Sequence, residues 1–367
     1  MKIVLYTHAV SPHEMPLLEA IWRKHIDWDV KYVVDGRARK ELCEGWSYKF
    51  STENIIVLDD MPKEQRGIFW ERLLDGKTIL FYGCRENEYL DIFVQSEAVV
   101  CYVSERWLKP SYGLPGVCHF LSSTFRNKLR WYRQQILHNP KFYYFAEGIY
   151  AAKDMAMMCG IKVRDFEKVP GAKVSEKIRL WGYFVQSAIE QRRRCRKLRE
   201  SLRVLWVGRM VKLKRVDTII RAIARMIKLK VEGSRLNVQL TLVGDGPERK
   251  RLEKMAEGLP IYFVGKKPML EVRKLMREHD VFVFPSNAYE GWGAVVNEAL
   301  EEGMRVVGSV DAGAAATMLP PECLFNGSNA KMLADILCGE IPKLGIGKWS
   351  VNAAAQQIEK FIEETML

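Results

Sequence analysis

The chain has 367 residues, its hydrophobic content is 48%, and its formal net charge is +12. This length allows two domains with separate cores, and no apolar run reaches the roughly 20 residues of a membrane span. The composition therefore argues against an integral membrane protein and favours a globular one with anionic partners. Eight cysteines without a C-x-x-C pair predict reduced, mostly buried thiols rather than a disulfide framework or a metal site.

The first half of the chain alternates between predicted strands and helices, which indicates a parallel sheet covered on both faces. The first strand, 3–7, begins almost at the N-terminus without a signal-peptide pattern, so we expect a cytoplasmic protein. A helix over 16–25 follows it, with Leu17, Leu18 and Ile21 on one face. The other predicted elements of this half are strands at 30–34, 55–58, 79–82 and 99–103 and helices at 67–74 and 88–96.

The second half repeats this alternation with clearer periodicity. A strand at 204–207 precedes a helix over 216–230, in which Ile219, Ile223 and Ile227 recur at helical spacing. The remaining predicted elements are strands at 239–243, 261–264, 281–284 and 305–307, helices at 247–256, 270–278 and 294–302, and a closing amphipathic helix over 351–365.

This organisation predicts two domains. We expect an N-terminal domain over 1–187, a basic linker over 188–200, a C-terminal domain over 201–348 and a final helix within 349–367. The linker contains the run Arg-Arg-Arg-Cys-Arg-Lys-Leu-Arg, for which a solvated helix face is an equally good interpretation.

A second basic region has no acidic residue at all. From Arg106 to Ala146 there are seven Lys or Arg, and a helix predicted over 124–137 carries aromatic and aliphatic residues on one face. Such a helix either lies on an anionic membrane surface, using residues 106–141, or is an ordinary domain helix with its apolar face in the core. No nucleic-acid-binding module is recognisable, so we expect no nucleic-acid partner.

The most informative stretch lies in the second half, where Glu290 and Glu298 flank a Gly-Trp-Gly turn. The buried strand predicted at 281–284 comes before the turn, and a helix begins after it. A strand, a glycine turn and a helix N-terminus form a pocket for an anion, because free N–H groups point at the turn and glycine lets a bulky group approach. The two carboxylates can hold hydroxyl groups, so the segment suits a sugar nucleotide, which carries a diphosphate and hydroxyls.

Three segments together resemble the retaining glycosyltransferases of family four. They are Val-Gly-Arg-Met-Val-Lys-Leu-Lys at 207–214, Val-Gly-Asp-Gly-Pro at 243–247, and Phe-Pro-Ser-Asn-Ala-Tyr-Glu-Gly-Trp-Gly-Ala-Val-Val-Asn-Glu at 284–298, which contains the family's Glu-x7-Glu motif. In the first half, Tyr-Val-Ser-Glu-Arg at 102–106 and Leu-Trp-Gly-Tyr-Phe at 180–184 resemble a branch that acts in bacterial surface-polysaccharide synthesis.

The resemblance implies the α/β fold called GT-B, with two Rossmann-like domains facing each other across a cleft. The C-terminal domain would hold a nucleotide-sugar donor, which we expect to be UDP-linked, and the N-terminal domain would hold a glycan or lipid-linked glycan acceptor. Transfer would retain the sugar's configuration, and the final helix would cross back to the first domain. A lipid-linked acceptor would place this cytoplasmic enzyme at the inner face of the membrane as a peripheral protein.

The same resemblance assigns roles to residues of the second half. Arg209 and Lys214 would stabilise the diphosphate as its charge grows, Glu298 would accept hydrogen bonds from the ribose, and Glu290 would face the transferred sugar. The other residues expected at the donor are Gly291, Gly293, Ala294 and Val295 at the diphosphate, Trp292 at the sugar, and Gly244 in a turn near the base. By contrast, Lys212 and Arg215 are expected to be solvated surface charges.

The first half offers weaker candidates. His13 is the N-terminal residue most suited to act beside the reacting sugar, and His119 is a second. The pattern Asp27-Trp-Asp29 spells the D-x-D of metal-dependent glycosyltransferases but lies far from the phosphate motifs, so we expect no metal and no other cofactor. The alternatives left open are a nucleotide-sugar epimerase of the same fold and a basic protein that binds anionic lipid or nucleic acid with an inactive site.

Overall fold

The computed structural model describes residues 1–11, 13–36, 54–83, 88–108, 122–163, 165–186, 201–231, 237–342 and 346–366. The chain divides into two compact units, Met1–Phe184 with Val351–Leu367, and Val185–Ser350. The predicted linker over 188–200 lies outside the described residues.

The first unit is built on a parallel sheet whose strand order is β3-β2-β1-β4-β5-β6-β7. Every residue of the strands at 78–82 and 99–104 is buried, as expected of a sheet covered on both faces. The elements are β1 (Lys2–Thr7), α1 (Met15–Lys24), β2 (Asp29–Val34), β3 (Ile55–Val57), α2 (Lys63–Leu73), β4 (Thr78–Tyr82), α3 (Leu90–Gln95), β5 (Val99–Ser104), α4 (Ser123–His138), β6 (Phe142–Glu147), α5 (Ile149–Cys159) and β7 (Ile178–Trp181).

The second unit has a parallel sheet in the order β10-β9-β8-β11-β12-β13. Its elements are β8 (Ser201–Val207), α6 (Val216–Val231), β9 (Asn237–Val243), α7 (Arg249–Met255), β10 (Ile261–Gly265), α8 (Met269–Glu278), β11 (Val281–Phe284), α9 (Val295–Glu301), β12 (Arg305–Ser309), α10 (Gly313–Met318), β13 (Leu324–Phe325) and α11 (Ala330–Cys338).

The last helix, α12 (Val351–Met366), belongs to the first unit. Glu359 on this helix accepts hydrogen bonds from Lys24 at 2.6 Å and from His25 at 2.8 Å, at the end of α1. Phe361 packs edge-on against the ring of Phe145 in β6. The helix therefore returns to the unit in which the chain starts, with both polar and apolar contacts.

In each sheet the strand order reverses beside the first strand of the unit. The reversal lies between β1 and β4 in the first unit and between β8 and β11 in the second. Loops that leave the carboxyl ends of two such strands run in opposite directions and leave a crevice, where ligands bind in open α/β sheets. The topology thus marks one candidate site in each unit.

The structure also bears on the predictions about membrane spans and cysteines. None of the described helices is long and apolar enough to cross a membrane. Among the described cysteines, Cys101, Cys159 and Cys323 are buried free thiols, and Cys338 is an exposed one.

Candidate active site

The crevice of the second unit brings together loops that carry three of the predicted residues. Strands β8 and β11 are hydrogen-bonded neighbours, with Val204 opposite Val281. The loop after β8 carries Arg209 and Lys214, and the loop after β11 carries Glu290. The two loops are joined because the Asn287 N–H donates to the Leu213 carbonyl over 2.8 Å.

Lys214 and Glu290 form an ion pair across these loops, in which the ammonium group donates to Glu290 Oε2. Their side chains are only 18% and 14% exposed. The ammonium also lies 5.7 Å from the centre of the Phe284 ring, at the end of β11. Because the pair is largely shielded from water and salt, the attraction between the two charges is screened little. This attraction holds both side chains in place at the crevice.

Arg209 lies in the same loop as Lys214, and its side chain is exposed. Among the residues that the structure describes, it has no carboxylate within ion-pair distance, so its charge is available to an anion. Lys212 is exposed, as expected for a solvated charge. The same expectation for Arg215 is wrong, because its guanidinium is 21% exposed and pairs with Asp311 at 2.7 Å.

The turn between β11 and α9 contains the predicted glycines. Gly291, Gly293 and Ala294 are partly exposed, so their backbone is accessible. Gly293 has a φ of 96°, and a Cβ at this position would overlap the ring of Phe284. Only glycine fits there, for both backbone and steric reasons.

Trp292, in the same turn, is 1% exposed. Its indole donates to Asn297 Oδ1 over 2.8 Å, and its ring centre lies 5.6 Å from that of Trp349. The side chain therefore anchors the turn in the core, and a contact with a donor sugar would require it to move.

Gly244 follows β9 and has a φ of 126°. A Cβ there would overlap the carbonyl oxygen of Gly208, at the start of the β8 loop. In addition, the Met210 N–H donates to the Asp245 carbonyl over 2.8 Å. The turns after β8 and β9 thus touch backbone to backbone, which fixes the loop that carries Arg209.

Glu298 lies on α9 and is 7% exposed. Burial raises the pKa of its carboxyl, and the positive charge of Arg273 opposes that rise. Arg273 also donates to the Glu298 carbonyl oxygen over 3.0 Å and to Glu301 Oε2 over 2.7 Å. Sequence reasoning missed Arg273, since nothing in the pattern of α8 indicates that it contacts α9.

The crevice of the first unit holds a cavity of about 300 Å³. Its wall includes His13, whose ring stacks on that of Tyr183 with 5.3 Å between ring centres. Three carboxylates belong to the lining: Glu14 and Glu105 follow β1 and β5, and Glu147 is the last residue of β6. These three were not predicted as site residues, and His119 lies outside the described residues.

Glu14 has a carboxyl group whose pKa is strongly raised. It accepts a hydrogen bond from the Tyr32 hydroxyl over 2.7 Å. Burial raises the pKa of Glu14 to about 7, although this hydrogen bond acts in the opposite direction. Glu14 therefore takes up its proton at a much higher pH than an ordinary glutamate does.

With both crevices described, the comparisons with known proteins can be stated. Residues 201–339 match the family described as Glycosyl transferases group 1. The match covers less than half of the chain and spans the unit that contains Lys214, Glu290 and Glu298. Sulfoquinovosyl transferase SQD2 of Arabidopsis thaliana is 26% identical over 183 residues, which are 47% of this chain. This chain aligns with only 34% of that protein.

Solved structures resemble the whole chain. Anabaena HepE in complex with UDP-glucose has a TM-score of 0.59 and 16% identity, and the alignment covers 99% of this chain and all of that one. Trehalose-6-phosphate synthase, studied for glycosyl transfer with retention, has a TM-score of 0.58 and 11% identity over 100% of this chain and 96% of that one. The prediction of a GT-B fold with two Rossmann-like units is confirmed, and the family match supports a GT-B glycosyltransferase.

Two predicted surface features lie apart from these crevices. Asp27 is exposed in the turn before β2. Asp29, the first residue of β2, is also exposed and pairs with Lys31 at 3.0 Å. No group of three or more His, Cys, Asp or Glu is placed to hold a metal within the described ranges. Independence of metal ions stays a prediction.

The predicted basic helix is α4, which begins after Ser122, whose side chain accepts from the Phe125 N–H. Tyr132 and Ile136 are buried in the unit, whereas Arg126 and Arg130 are exposed. The most apolar part of the helix therefore packs in the core, and its arginines face solvent. Contact of residues 106–141 with an anionic membrane stays a prediction, and 109–121 lie outside the described residues.

Proposed function

We propose that this protein transfers a sugar from a UDP-linked donor to a glycan or lipid-linked glycan acceptor, with retention of configuration. The observation that carries the proposal is the Lys214–Glu290 ion pair at the crevice of the second unit, with the exposed Arg209 in the same loop as Lys214. One carboxylate and two cations at a glycine turn suit a ligand that is both a diphosphate and a sugar. The UDP-glucose bound to Anabaena HepE supports a UDP-linked donor.

Each residue has a role in this proposal. Arg209 and Lys214 bind the diphosphate, and they bind it more tightly as its charge grows during cleavage of the bond to the sugar. Glu290 accepts hydrogen bonds from the sugar hydroxyls, and in doing so it shares Lys214 with the phosphate. Glu298 accepts hydrogen bonds from the ribose, for which it has to be ionised when the donor is bound.

Retention requires the acceptor oxygen to form its bond on the face that the phosphate leaves. The bond from the anomeric carbon to the phosphate oxygen breaks, the bond to the acceptor oxygen forms, and the acceptor proton passes to the departing phosphate. No metal or protein nucleophile takes part in this scheme. The study of glycosyl transfer with retention in trehalose-6-phosphate synthase, whose fold this chain shares, supports the proposed retention.

The acceptor belongs to the first unit in this proposal, where His13 lines the cavity. The cellular role that we propose is synthesis of cell-surface polysaccharide at the cytoplasmic face of the membrane. The exposed arginines of α4 would provide an electrostatic contact with anionic lipid, without insertion of its buried apolar residues.

The donor is tested by thermal unfolding with UDP, GDP, ADP and CMP in the presence of EDTA. A ligand at about 100 times its dissociation constant stabilises the native state by about 2.7 kcal/mol, so the correct nucleotide raises the melting temperature. We expect a shift with UDP that is lost in Lys214→Met and kept in Lys212→Met, a matched substitution of an exposed lysine. A shift with none of the four nucleotides would refute the proposal.

Retention is tested with water as the acceptor. Slow hydrolysis of a panel of UDP-sugars, followed by proton NMR before mutarotation, should release a sugar with the configuration of the donor. Release of the opposite anomer would refute retention. Conversion of one UDP-sugar into another, with the nucleotide still attached, would instead identify an epimerase.

A further inference from the structure

The cavity of the first unit is elongated and follows its first strand. Ile3, Leu5 and Thr7 alternate along β1, so they lie on one face of the strand, and all three line the cavity. At a rise of about 3.3 Å per residue, they line it over a length of roughly 13 Å. Another wall contains Glu14, at the start of α1, and Ile21, within it. Their separation along the helix is roughly 10 Å, so the two walls agree on the length of the cavity.

The cavity opens at the carboxyl ends of the strands. His8 and Gly83, which follow β1 and β4, are exposed lining residues and define this opening. Ile3 and Ile21, at the other end, are buried. Leu5 lies between these ends, on a strand that is paired on both sides, and is still partly exposed. Because Leu5 lines the cavity, its exposure shows that solvent reaches past the opening towards the core.

The end of the cavity away from the opening has aliphatic walls. This interior is formed by Leu17, Leu18 and Ile21 from α1, Ile3 from β1 and Ile358 from α12, all of which are buried. None of these described residues carries a polar side chain. The glutamates of the lining lie instead at the carboxyl side of the sheet, near the opening. The cavity therefore changes from polar to apolar along its length.

A cavity of about 300 Å³ with such walls is unusual in a folded core. Protein interiors are packed as densely as organic crystals and contain few voids larger than a water molecule. An apolar cavity of about 150 Å³ stays free of water and binds benzene or xenon. An apolar group in the interior would restore contacts that the aliphatic walls lack. A sugar ring would leave its hydroxyl groups there without hydrogen-bond partners, which is costly.

We propose that this cavity binds an alkyl chain of the acceptor, so that the acceptor is an amphiphile with an acyl or prenyl chain. The inference rests on the proposed function. The chain lies in the interior, and the hydroxyl-bearing head group stays at the opening. There the carboxylate of Glu14 and the hydroxyl of Thr7 can form hydrogen bonds with the head group. The first unit thus recognises the chain itself, in addition to any contact of α4 with a membrane surface.

The test is a chain-length series on the full chain with UDP present. Calorimetric titration compares methyl, butyl, hexyl and octyl glucoside, each below the concentration at which it forms micelles. We expect the affinity to rise by about threefold for each methylene group that is buried, and to stop rising when the chain fills the interior. Equal affinity for methyl and octyl glucoside, or binding of none of them, would overturn the proposal.

The source of the chain is identified with geranyl glucoside, whose chain is branched and unsaturated. Tighter binding of geranyl than of octyl glucoside would support a prenyl chain, and weaker binding would support an acyl chain. This comparison and the chain-length series use the wild-type protein, so they do not depend on the folding of any variant.

A substitution at the opening separates binding in the cavity from adsorption to the surface. A Cβ at Gly83 would meet only the Thr7 side chain at 3.7 Å and the Val103 carbonyl at 4.0 Å, both in the lining. Gly83→Leu should therefore fold and narrow the opening, reducing the gain in affinity from methyl to octyl glucoside by about tenfold. Gly347→Leu, where a Cβ would meet nothing within 4 Å, should bind octyl glucoside as wild type does. An undiminished gain in Gly83→Leu would contradict binding inside the cavity.

The melting-temperature shift with UDP is measured on the same samples. If UDP gives a shift and chain length has no effect on affinity, this inference fails alone. If UDP gives no shift, the proposed function fails. A Gly83→Leu protein that keeps the shift with UDP is folded, so its loss of octyl glucoside binding can be assigned to the opening.

Discussion

The substitution Glu14→Gln should remove a pH dependence of stability that the wild-type protein has. The glutamine keeps an oxygen to accept the hydrogen bond from Tyr32, which is 2.7 Å long in the wild type, but it cannot ionise. Burial raises the pKa of Glu14 from its ordinary value of 4.5 to about 7. The native state therefore binds this proton more tightly than the unfolded chain does. The resulting contribution to stability is fully present below pH 4.5 and is lost as the pH rises through about 7.

The size of the effect follows from the two pKa values. A difference between 4.5 and about 7 corresponds to at most about 3 kcal/mol of unfolding free energy. Glu14 is only partly shielded from solvent in the structure, so we expect about 2 kcal/mol. Comparison with the variant cancels the titration of the other groups, because these are common to both proteins.

The assay is urea unfolding of wild type and Glu14→Gln at pH 5 and pH 8. The stability of wild type relative to the variant should fall by about 2 kcal/mol between these values. Glu71→Gln, at an exposed site, should follow wild type at both. If the difference between wild type and Glu14→Gln is the same at pH 5 and pH 8, the carboxyl is not shielded as the structure indicates, and the reasoning is refuted.

Three further substitutions test the second unit. Gly293→Ala places a Cβ against the Phe284 ring at a positive φ, so it should lower stability by about 2–4 kcal/mol and abolish the shift with UDP. Arg273→Met leaves the largely buried Glu301 without its cation, and we expect a loss of about 1–3 kcal/mol together with weaker UDP binding. Trp292→Phe removes the indole donor from a buried side-chain amide and should cost about 1–2 kcal/mol in a urea titration.

The first two of these have a control at an exposed position. Gly347→Ala introduces a Cβ into open space, and Lys274→Met removes a solvent-exposed cation from the same helix as Arg273. A Gly293→Ala protein as stable as Gly347→Ala would contradict the steric argument. Equal losses of stability in Arg273→Met and Lys274→Met would show that the contact of Arg273 with α9 does not stabilise the protein. A Trp292→Phe protein as stable as wild type would show the same for the hydrogen bond of the indole.

The sequence predicts elements well where the apolar pattern has a clear period. The helix predicted over 216–230 is Val216–Val231, and the strand at 281–284 has the predicted bounds. The missed helix α10 has the sequence Gly-Ala-Ala-Ala-Thr-Met, and five of its six residues are buried. A helix buried on all sides has no polar face, so it lacks the periodicity by which helices are recognised.

The missed strand β7 shows a different limit. It is four residues long and contains Arg179, which is 4% exposed. Its guanidinium is satisfied by the carbonyls of Ser175 and Glu176 and by Glu364 on the final helix. A buried arginine is compatible with a strand only when its guanidinium has partners, and the one partner that carries a charge, Glu364, lies far along the chain, where no local pattern shows it.

The two crevices differ in how many of their residues can be predicted from the sequence. The charged residues of the second unit lie in two short motifs, and the strand order joins these motifs directly. The cavity of the first unit collects Glu14, Glu105 and Glu147 from three separate segments of the chain. In sequence, each of these residues resembles an ordinary surface glutamate. Only the order of the strands brings them together. Arg215 shows the same limit, since its partner Asp311 lies far along the chain.

The central claim is that the crevice of the second unit binds a nucleoside diphosphate through Arg209 and Lys214. Calorimetric titration of UDP in the presence of EDTA tests it most directly. Wild type and Lys212→Met should bind UDP with equal affinity, whereas Arg209→Met and Lys214→Met should each bind about tenfold or more weakly, since each loses a charge-assisted contact. Equal affinity in all four proteins would contradict the claim and would place any UDP binding elsewhere on the chain.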